Sequence, residues 1–224
     1  MTITYVNDLR LSEMATGDNS GTWGNVTNTN LELVGEALGF GTQQVFASDA
    51  DATTTVLDGA SDPARAMYFK VTSVSLSATR TMTIAPNTMS RVMFIENATT
   101  GSQSISVKQG SGAEVTIPNG AVKMVYLDGA GSGAAVTDAL IDLNLGGTLT
   151  VGVDGTGHDV KFFGTTSGQY MLWDQSTDEL VLAGDSKLSF HDAAGGENII
   201  ASADGHLEIN AGTTLDITAA TTQV

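Results

Sequence analysis

The side chains best suited to chemistry in this chain are its three histidines, His158, His191 and His206. Each sits beside Asp or Gly in a turn-rich stretch, and none adjoins a candidate nucleophile. The chain has no Gly-x-Ser-x-Gly elbow, no phosphate-cradling glycine loop and no His-Glu-x-x-His pair. One histidine from each of three copies could ring an ion on an axis, but one chain offers no such ligand set. Surface histidine is the simpler reading. Asp49-Ala50-Asp51 and Asp154-Gly155-Thr156-Gly157-His158-Asp159 alternate oxygen ligands as calcium loops do at their start. Neither completes the set, and Asp-Gly is first of all a turn signal. Asp178 and Glu179 are adjacent, so on a strand they point to opposite faces and cannot act as a paired acid and base. The sequence predicts no catalytic residue, no metal and no cofactor. An enzyme is not expected.

The elements around these residues are short and β-like. The chain has 224 residues, 41% of them hydrophobic and 6% aromatic. Thirty threonines favour strands, 26 glycines punctuate turns, and prolines number only 3. There is no cysteine, so disulfides and thiolate metal sites are excluded. That fits assembly in a reducing cytoplasm. The first residues, Met1 to Asp8, have neither a basic start nor an apolar stretch, so no signal peptide is expected. No apolar run has the length of a membrane span, and no membrane insertion is expected.

The net charge is −16 and is unevenly placed. Residues 136–224 hold 13 acids against Lys161 and Lys187, whereas residues 41–135 are close to neutral with 7 acids and 6 bases. Such a surface repels phosphate backbones, so nucleic acid is not an expected partner. It also keeps long assemblies from sticking together.

Three segments follow from the patterning. Residues 1–41 contain Leu9 and Leu11 in an extended piece, a polar turn, Trp23, and the one helix signal. Thr29-Asn30-Leu31-Glu32 has capping-box form, and Leu31, Val34, Ala37 and Leu38 recur at helical spacing. Gly39 or Gly41 can end the helix. At two to three turns it must dock on something, with Trp23 the local candidate. Leu9, Leu11, Trp23, Leu31, Val34 and Leu38 are therefore the expected docking residues.

Residues 42–138 read as a β-sandwich or jelly roll. Strands are expected over 67–71, 74–78, 81–85, 92–97, 104–108, 115–117 and 122–127, with turn signals every 8–12 residues. Residues 138–143 could be helix or strand.

Residues 139–224 are a run of strand-like pieces between glycine turns. Each carries only a few apolar side chains, too few for a closed core in one copy. Burial against identical strands of other copies is the simplest solution. The expected inter-chain packing residues are Phe162, Tyr170, Leu172, Trp173, Leu180, Leu182, Leu188, Phe190, Leu207, Ile209, Leu215 and Ile217. Tyr170 and Trp173 could alternatively stack on a host surface glycan, although packing between chains is the plainer reading.

Two stretches resemble known proteins. Leu9-Arg10-Leu11 through Gly21-Thr22-Trp23-Gly24 to Thr27-Asn28-Thr29-Asn30-Leu31-Glu32-Leu33 resembles the N-terminal segment of structural proteins from marine bacteriophages. Phe163 through Asp174, running on to Asp178-Glu179-Leu180 and Leu182, resembles the intertwined β stalks of phage tail fibres. The resemblance implies a virion structural protein, assembled in the host cytoplasm: a homotrimeric tail fibre that anchors to other virion proteins and projects outward for host adsorption. A capsid head fibre is the alternative within that class, and a glycan-binding or depolymerising spike the alternative outside it. Phage fibres usually end in a compact tip, whereas residues 213–224 still read as stalk, so a longer fibre or a tip supplied by another protein is expected. The fold expected as a whole is mainly β: an N-terminal anchoring segment with one short helix, a sandwich, and a trimeric β stalk.

Overall fold

The computed structural model describes residues 3–190, 196–203 and 205–216. The protein is mainly β with one α-helix near its start, and it divides into two compact units, residues 1–144 and 145–224.

In the first unit, a helix α1 (Trp23–Ala37) leads into β1 (Phe40–Phe46) and β2 (Ala52–Thr55). A 3-10 turn, Pro63–Arg65, precedes β3 (Tyr68–Ser73), β4 (Arg80–Ala85), β5 (Ser90–Asn97) and β6 (Ile105–Lys108). β7 (Val115–Ile117), β8 (Val122–Asp128) and β9 (Val136–Asp138) complete it. One sheet has the order β1-β3-β5-β8-β9 and the other β2-β4-β6-β7. The chain thus alternates between two sheets from β1 to β6, like a coil of three turns. β1, β3 and β5 pair in parallel, as do β2, β4 and β6. β7, β8 and β9 then add antiparallel.

The two sheets face each other across one core. Alternate residues of every coil point inward: Phe69 and Val71, Met82 and Ile84, Met93 and Ile95, Ile105 and Val107 are all fully buried. The expected sandwich is present, but its topology is no jelly roll, which would be antiparallel throughout. Period-two alternation reports which face is buried, and the direction of the neighbouring strand is set by the connections. The strand expected over 74–78 is a bend with a single bridge, Ser75 to Thr100. There the third coil passes so close to the second that a Cβ on Gly101 would lie 2.1 Å from the Leu76 carbonyl oxygen. Gly101 has φ +97°, so this turn needs glycine on both counts.

Buried polar side chains tie the coils together. Asn97 donates to the carbonyls of Gln103 (3.0 Å) and Ile117 (2.9 Å) and accepts from the backbone N–H and hydroxyl of Thr99. Gln109 donates to Met89 and Pro86 carbonyls and accepts from the Gly129 N–H. Each satisfies backbone groups that the loops leave outside the ladders.

α1 begins at Trp23, earlier than the capping-box signal. Thr29 and Glu32 lie inside it, and the N-cap, Thr22, makes no side-chain cap. Residues 23–28 hold no strong helix former, so tertiary contacts override propensity here. Asn30 faces the N-terminal segment, accepting from the Ser12 N–H and donating to the Ser12 carbonyl, both at 2.9 Å. The helix buries Leu33 and Ala37 and packs on the 3-10 turn and β1. Gly39 follows the C-cap Leu38, its N–H bonded to the Glu36 carbonyl.

Arg65 fastens the N-terminal segment to this unit. It is fully buried and donates to the carbonyls of Leu9, Leu57 and Ala60. Asp62 lies 3.2 Å from its guanidinium. Arg10 pairs with Asp58 at 2.7 Å, and Asp8 accepts from the Ser90 N–H.

Candidate functional site

The second unit is organised around two antiparallel sheets. The first contains β10 (Val160–Phe163), β11 (Tyr170–Asp174) and β12 (Glu179–Ala183). The second contains β13 (Leu188–Ser189), β14 (Glu197–Ala203) and β15 (His206–Ala211). The turn from β11 to β12 is held by Asp174, which accepts from the Ser176 hydroxyl and N–H. Those bonds, the hydroxyl first, hold its carboxyl below the usual range. Asp178 closes the turn at φ +55°.

Cross-strand register places the side chains. Val160, Trp173 and Leu180 share one row, and Phe162, Met171 and Leu182 the next on the same face. On the other face, Phe163, Tyr170 and Ala183 form one row, and Lys161, Leu172 and Val181 another. Lys161 lies over the Tyr170 ring, 3.6 Å from its centroid, and Phe163 meets that ring edge-on. Both faces of this sheet are therefore apolar. The second sheet is one-sided. Leu188, Ile199 and Ile209 share a row with Ala201 and Leu207 beside them, while Ser189, Asn198 and Asn210, with Ile200 opposite Glu208, line the more polar reverse. Asn210 donates to Asn198 at 3.1 Å there.

Among the described residues this apolar surface is exposed or at most half-buried. Among the described residues of 145–224 the only buried one is Asn198, at 8% exposure. Phe162 is 55% exposed, Phe163 77% and Leu180 63%. Trp173, Leu188, Phe190, Leu207, Ile209 and Leu215 are also exposed, and Tyr170, Leu172 and Leu182 are half-buried. Ile217 lies outside the described residues.

The expected docking residues separate. Leu9 and Leu11 are half-buried, as is Val34, whereas Trp23, Leu31 and Leu38 are exposed. The helix docks instead through Leu33 and Ala37, an i, i+4 pair that a finer reading of the same periodicity contains. Trp23 stands at the helix's first turn with its ring in solvent.

A second apolar surface lies on the outer face of the five-stranded sheet, unsignalled by the sequence. Phe40, Tyr68, Phe94 and Met124 stand in register across β1, β3, β5 and β8. Phe40 and Tyr68 stack at 5.6 Å. Parallel coils bring Phe40, Tyr68 and Phe94 to one line, and the antiparallel strand β8 adds Met124 to it.

The polar candidates have structural employment. Asp49 accepts from Arg80 at 2.8 Å and from Ser77, and Arg80 first of all holds its carboxyl far below the normal range. Asp51 accepts from the Thr81 N–H, and Asp159 from the Gln175 N–H. Asp154-Gly155 forms a turn closed by a bridge between Val153 and Thr156. His158 and His206 are exposed; His206 bonds Ser202. His191 lies outside the described residues. Among the described residues no three His, Asp or Glu side chains gather as metal ligands. No described helix is long and apolar enough to cross a membrane.

Compared with protein-family models, curated proteins and solved structures, the chain matches none of them. What the second unit presents is two sheets whose apolar side chains are largely open to solvent.

Proposed function

We propose that this protein is a structural component of a phage particle, a homotrimeric fibre whose residues 145–224 build their hydrophobic interior jointly with two other copies. One observation carries the reading. Six strands are formed in that unit, yet the only buried residue described there is the polar Asn198. A sheet apolar on both faces needs cover on both sides. A second and third copy supply chemically identical faces without any other partner, and closed rotational symmetry ends the assembly at a fixed size. The net charge keeps finished fibres apart. The resemblance of residues 9–33 and 163–182 to phage structural proteins supports the virion setting and a tail-fibre role, with residues 1–41 toward the particle. The work of such a protein is attachment and spacing, and interlocked chains give it kinetic stability.

The test is the oligomeric mass of the purified chain at micromolar concentration by light scattering, together with its position in an intact particle map. A trimer located in a fibre supports the proposal. A stable monomer refutes it.

A further inference from the structure

Five dipeptides in the chain place Asn or Asp before glycine: Asp58-Gly59, Asn119-Gly120, Asp128-Gly129, Asp154-Gly155 and Asp204-Gly205. Asp204 lies outside the described residues. The pairing is chemically labile. Glycine has no side chain to obstruct its own backbone nitrogen, which can swing round and attack the preceding side-chain carbonyl carbon. Attack needs an amide free of hydrogen bonds and a side chain free to turn. The four described pairs share this chemistry, and the fold separates them.

Three pairs are pinned at both ends of the bond that would form. The Gly59 N–H donates to the Arg10 carbonyl at 2.8 Å, and Arg10 holds the Asp58 carboxylate at 2.7 Å. The Gly120 N–H donates to the Asn97 carbonyl at 2.8 Å, and the Asn119 side-chain amide donates to the Thr99 carbonyl at 2.7 Å. The Gly129 N–H donates to the Gln109 side chain at 3.1 Å, and Asp128 accepts from the Ala130 and Ala135 N–H groups, each at 3.0 Å. Two of these glycines are also packed tightly. A Cβ on Gly59 would lie 2.7 Å from the Tyr5 ring, and one on Gly129 2.9 Å from the Thr88 carbonyl oxygen.

Asp154-Gly155 differs. It is the two-residue turn between Val153 and Thr156, whose backbones exchange hydrogen bonds of 3.1 and 2.9 Å. Both turn residues are exposed, and Gly155, at φ +77°, has nothing within 4 Å of where a Cβ would stand. Among the described residues neither the Gly155 N–H nor the Asp154 carboxyl has a hydrogen-bond partner.

We infer that Asp154 is a self-modification site, where the folded chain converts to isoaspartate while the other three described pairs are spared. The Gly155 nitrogen bonds to Asp154 Cγ, and its proton leaves with the carboxyl hydroxyl as one water (at Asn119 ammonia would leave instead). Water then returns to the cyclic imide. Adding at the α-carbonyl carbon, it breaks the bond from that carbon to the Gly155 nitrogen. The α-carboxylate is then free, Gly155 is joined through Cγ, and no atom is gained or lost overall. The backbone of the turn is longer by one carbon, so the two Val153–Thr156 hydrogen bonds cannot both keep their geometry. The inference goes beyond the trimer reading and does not depend on it, since every copy carries one such turn.

The test incubates the full chain for weeks at neutral pH, folded in buffer and unfolded in guanidinium chloride. Isoaspartate is located in tryptic peptides by electron-transfer fragmentation. Dividing by the unfolded rate at each site removes the intrinsic difference between Asn and Asp. At Asp154 the folded rate should match the unfolded one. At Asp58, Asn119 and Asp128 the folded chain should be slower by at least about tenfold, or about 1.4 kcal/mol, because each amide must first give up its hydrogen bond. Asp154→Asn gives a second readout. Asn-Gly suits a two-residue turn, so the variant keeps the fold, and its deamidation should appear as a mass gain at residue 154 at the rate of the unfolded variant. Three results overturn the inference: Asp154 slowed by folding as much as the other three, isoaspartate at any of those three at its unfolded rate, or Asp154→Asn intact at residue 154 in the folded chain. Oligomeric mass is read on the same samples, so a trimer that stands while Asp154 stays unmodified separates this failure from failure of the trimer.

Discussion

Phe162→Ala tests the shared interior directly. In one chain the Phe162 side chain is 55% exposed, which for a phenyl group of ~200 Å² leaves about 110 Å² in water. At ~25 cal/mol per Å², covering it contributes about 2.8 kcal/mol, of which alanine forfeits roughly 2. Three equivalent positions in a trimer make that about 6 kcal/mol, or ~10⁴ in the trimer dissociation constant. Because a monomer–trimer midpoint varies as the square root of that constant, the half-dissociation concentration should rise about a hundredfold. Mass photometry and light scattering over a dilution series measure it. The strands of β10 and β11 keep their backbone ladder in the variant, so a local folding defect is checked by circular dichroism. A midpoint unmoved by the substitution, in a chain that is trimeric, would refute the placement of Phe162 in a shared core.

Three further outcomes are expected. Asn97→Ala removes four hydrogen bonds inside the coil and should cost the first unit about 3–4 kcal/mol, near 10 °C in its melting temperature by calorimetry. Arg65→Met strips three carbonyls of their donor and removes the guanidinium 3.2 Å from the buried Asp62; a loss of about 3–5 kcal/mol in urea unfolding is expected, with faster proteolysis near Leu9. The carboxyls of Asp49, Glu96 and Asp138 are held low chiefly by hydrogen bonds from Arg80, Lys70 and Lys123 respectively. A depressed carboxyl contributes stability above its unfolded pKa and loses it as pH falls through the folded one, so the denaturation midpoint should be flat above about pH 5 and fall below about pH 4, less steeply in Asp49→Asn.

Much of the first unit is legible in its residues. Alternating or continuously apolar runs bounded by turn signals marked β3 to β8, and all of these but β6, where Ile105, Ser106 and Val107 are buried in succession, bury every second side chain against one core. β1 and β2 were illegible: Phe40–Phe46 and Ala52–Thr55 are rich in Gly, Gln and Thr and are strands only because β3 and β4 lie beside them. The helix start was displaced for the same reason, since Asn30 is secured by Ser12 and the helix by Leu33 and Ala37. The coil repeat escaped notice because loops of unequal length separate equivalent residues, so no fixed period survives in the sequence.

What the sequence determined by itself is composition and face: a β protein, acidic toward its C-terminal end, whose strands after residue 145 carry apolar side chains in short pieces. Those properties are local, since side-chain chemistry and period-two alternation need no distant partner. Only the tertiary structure decided the rest. Parallel winding aligned Phe40, Tyr68 and Phe94, the antiparallel return of β8 added Met124, and folding the 3-10 turn under the end of α1 set Asp62 beside Glu36. Such juxtapositions depend on where loops return the backbone, and no residue encodes that alone.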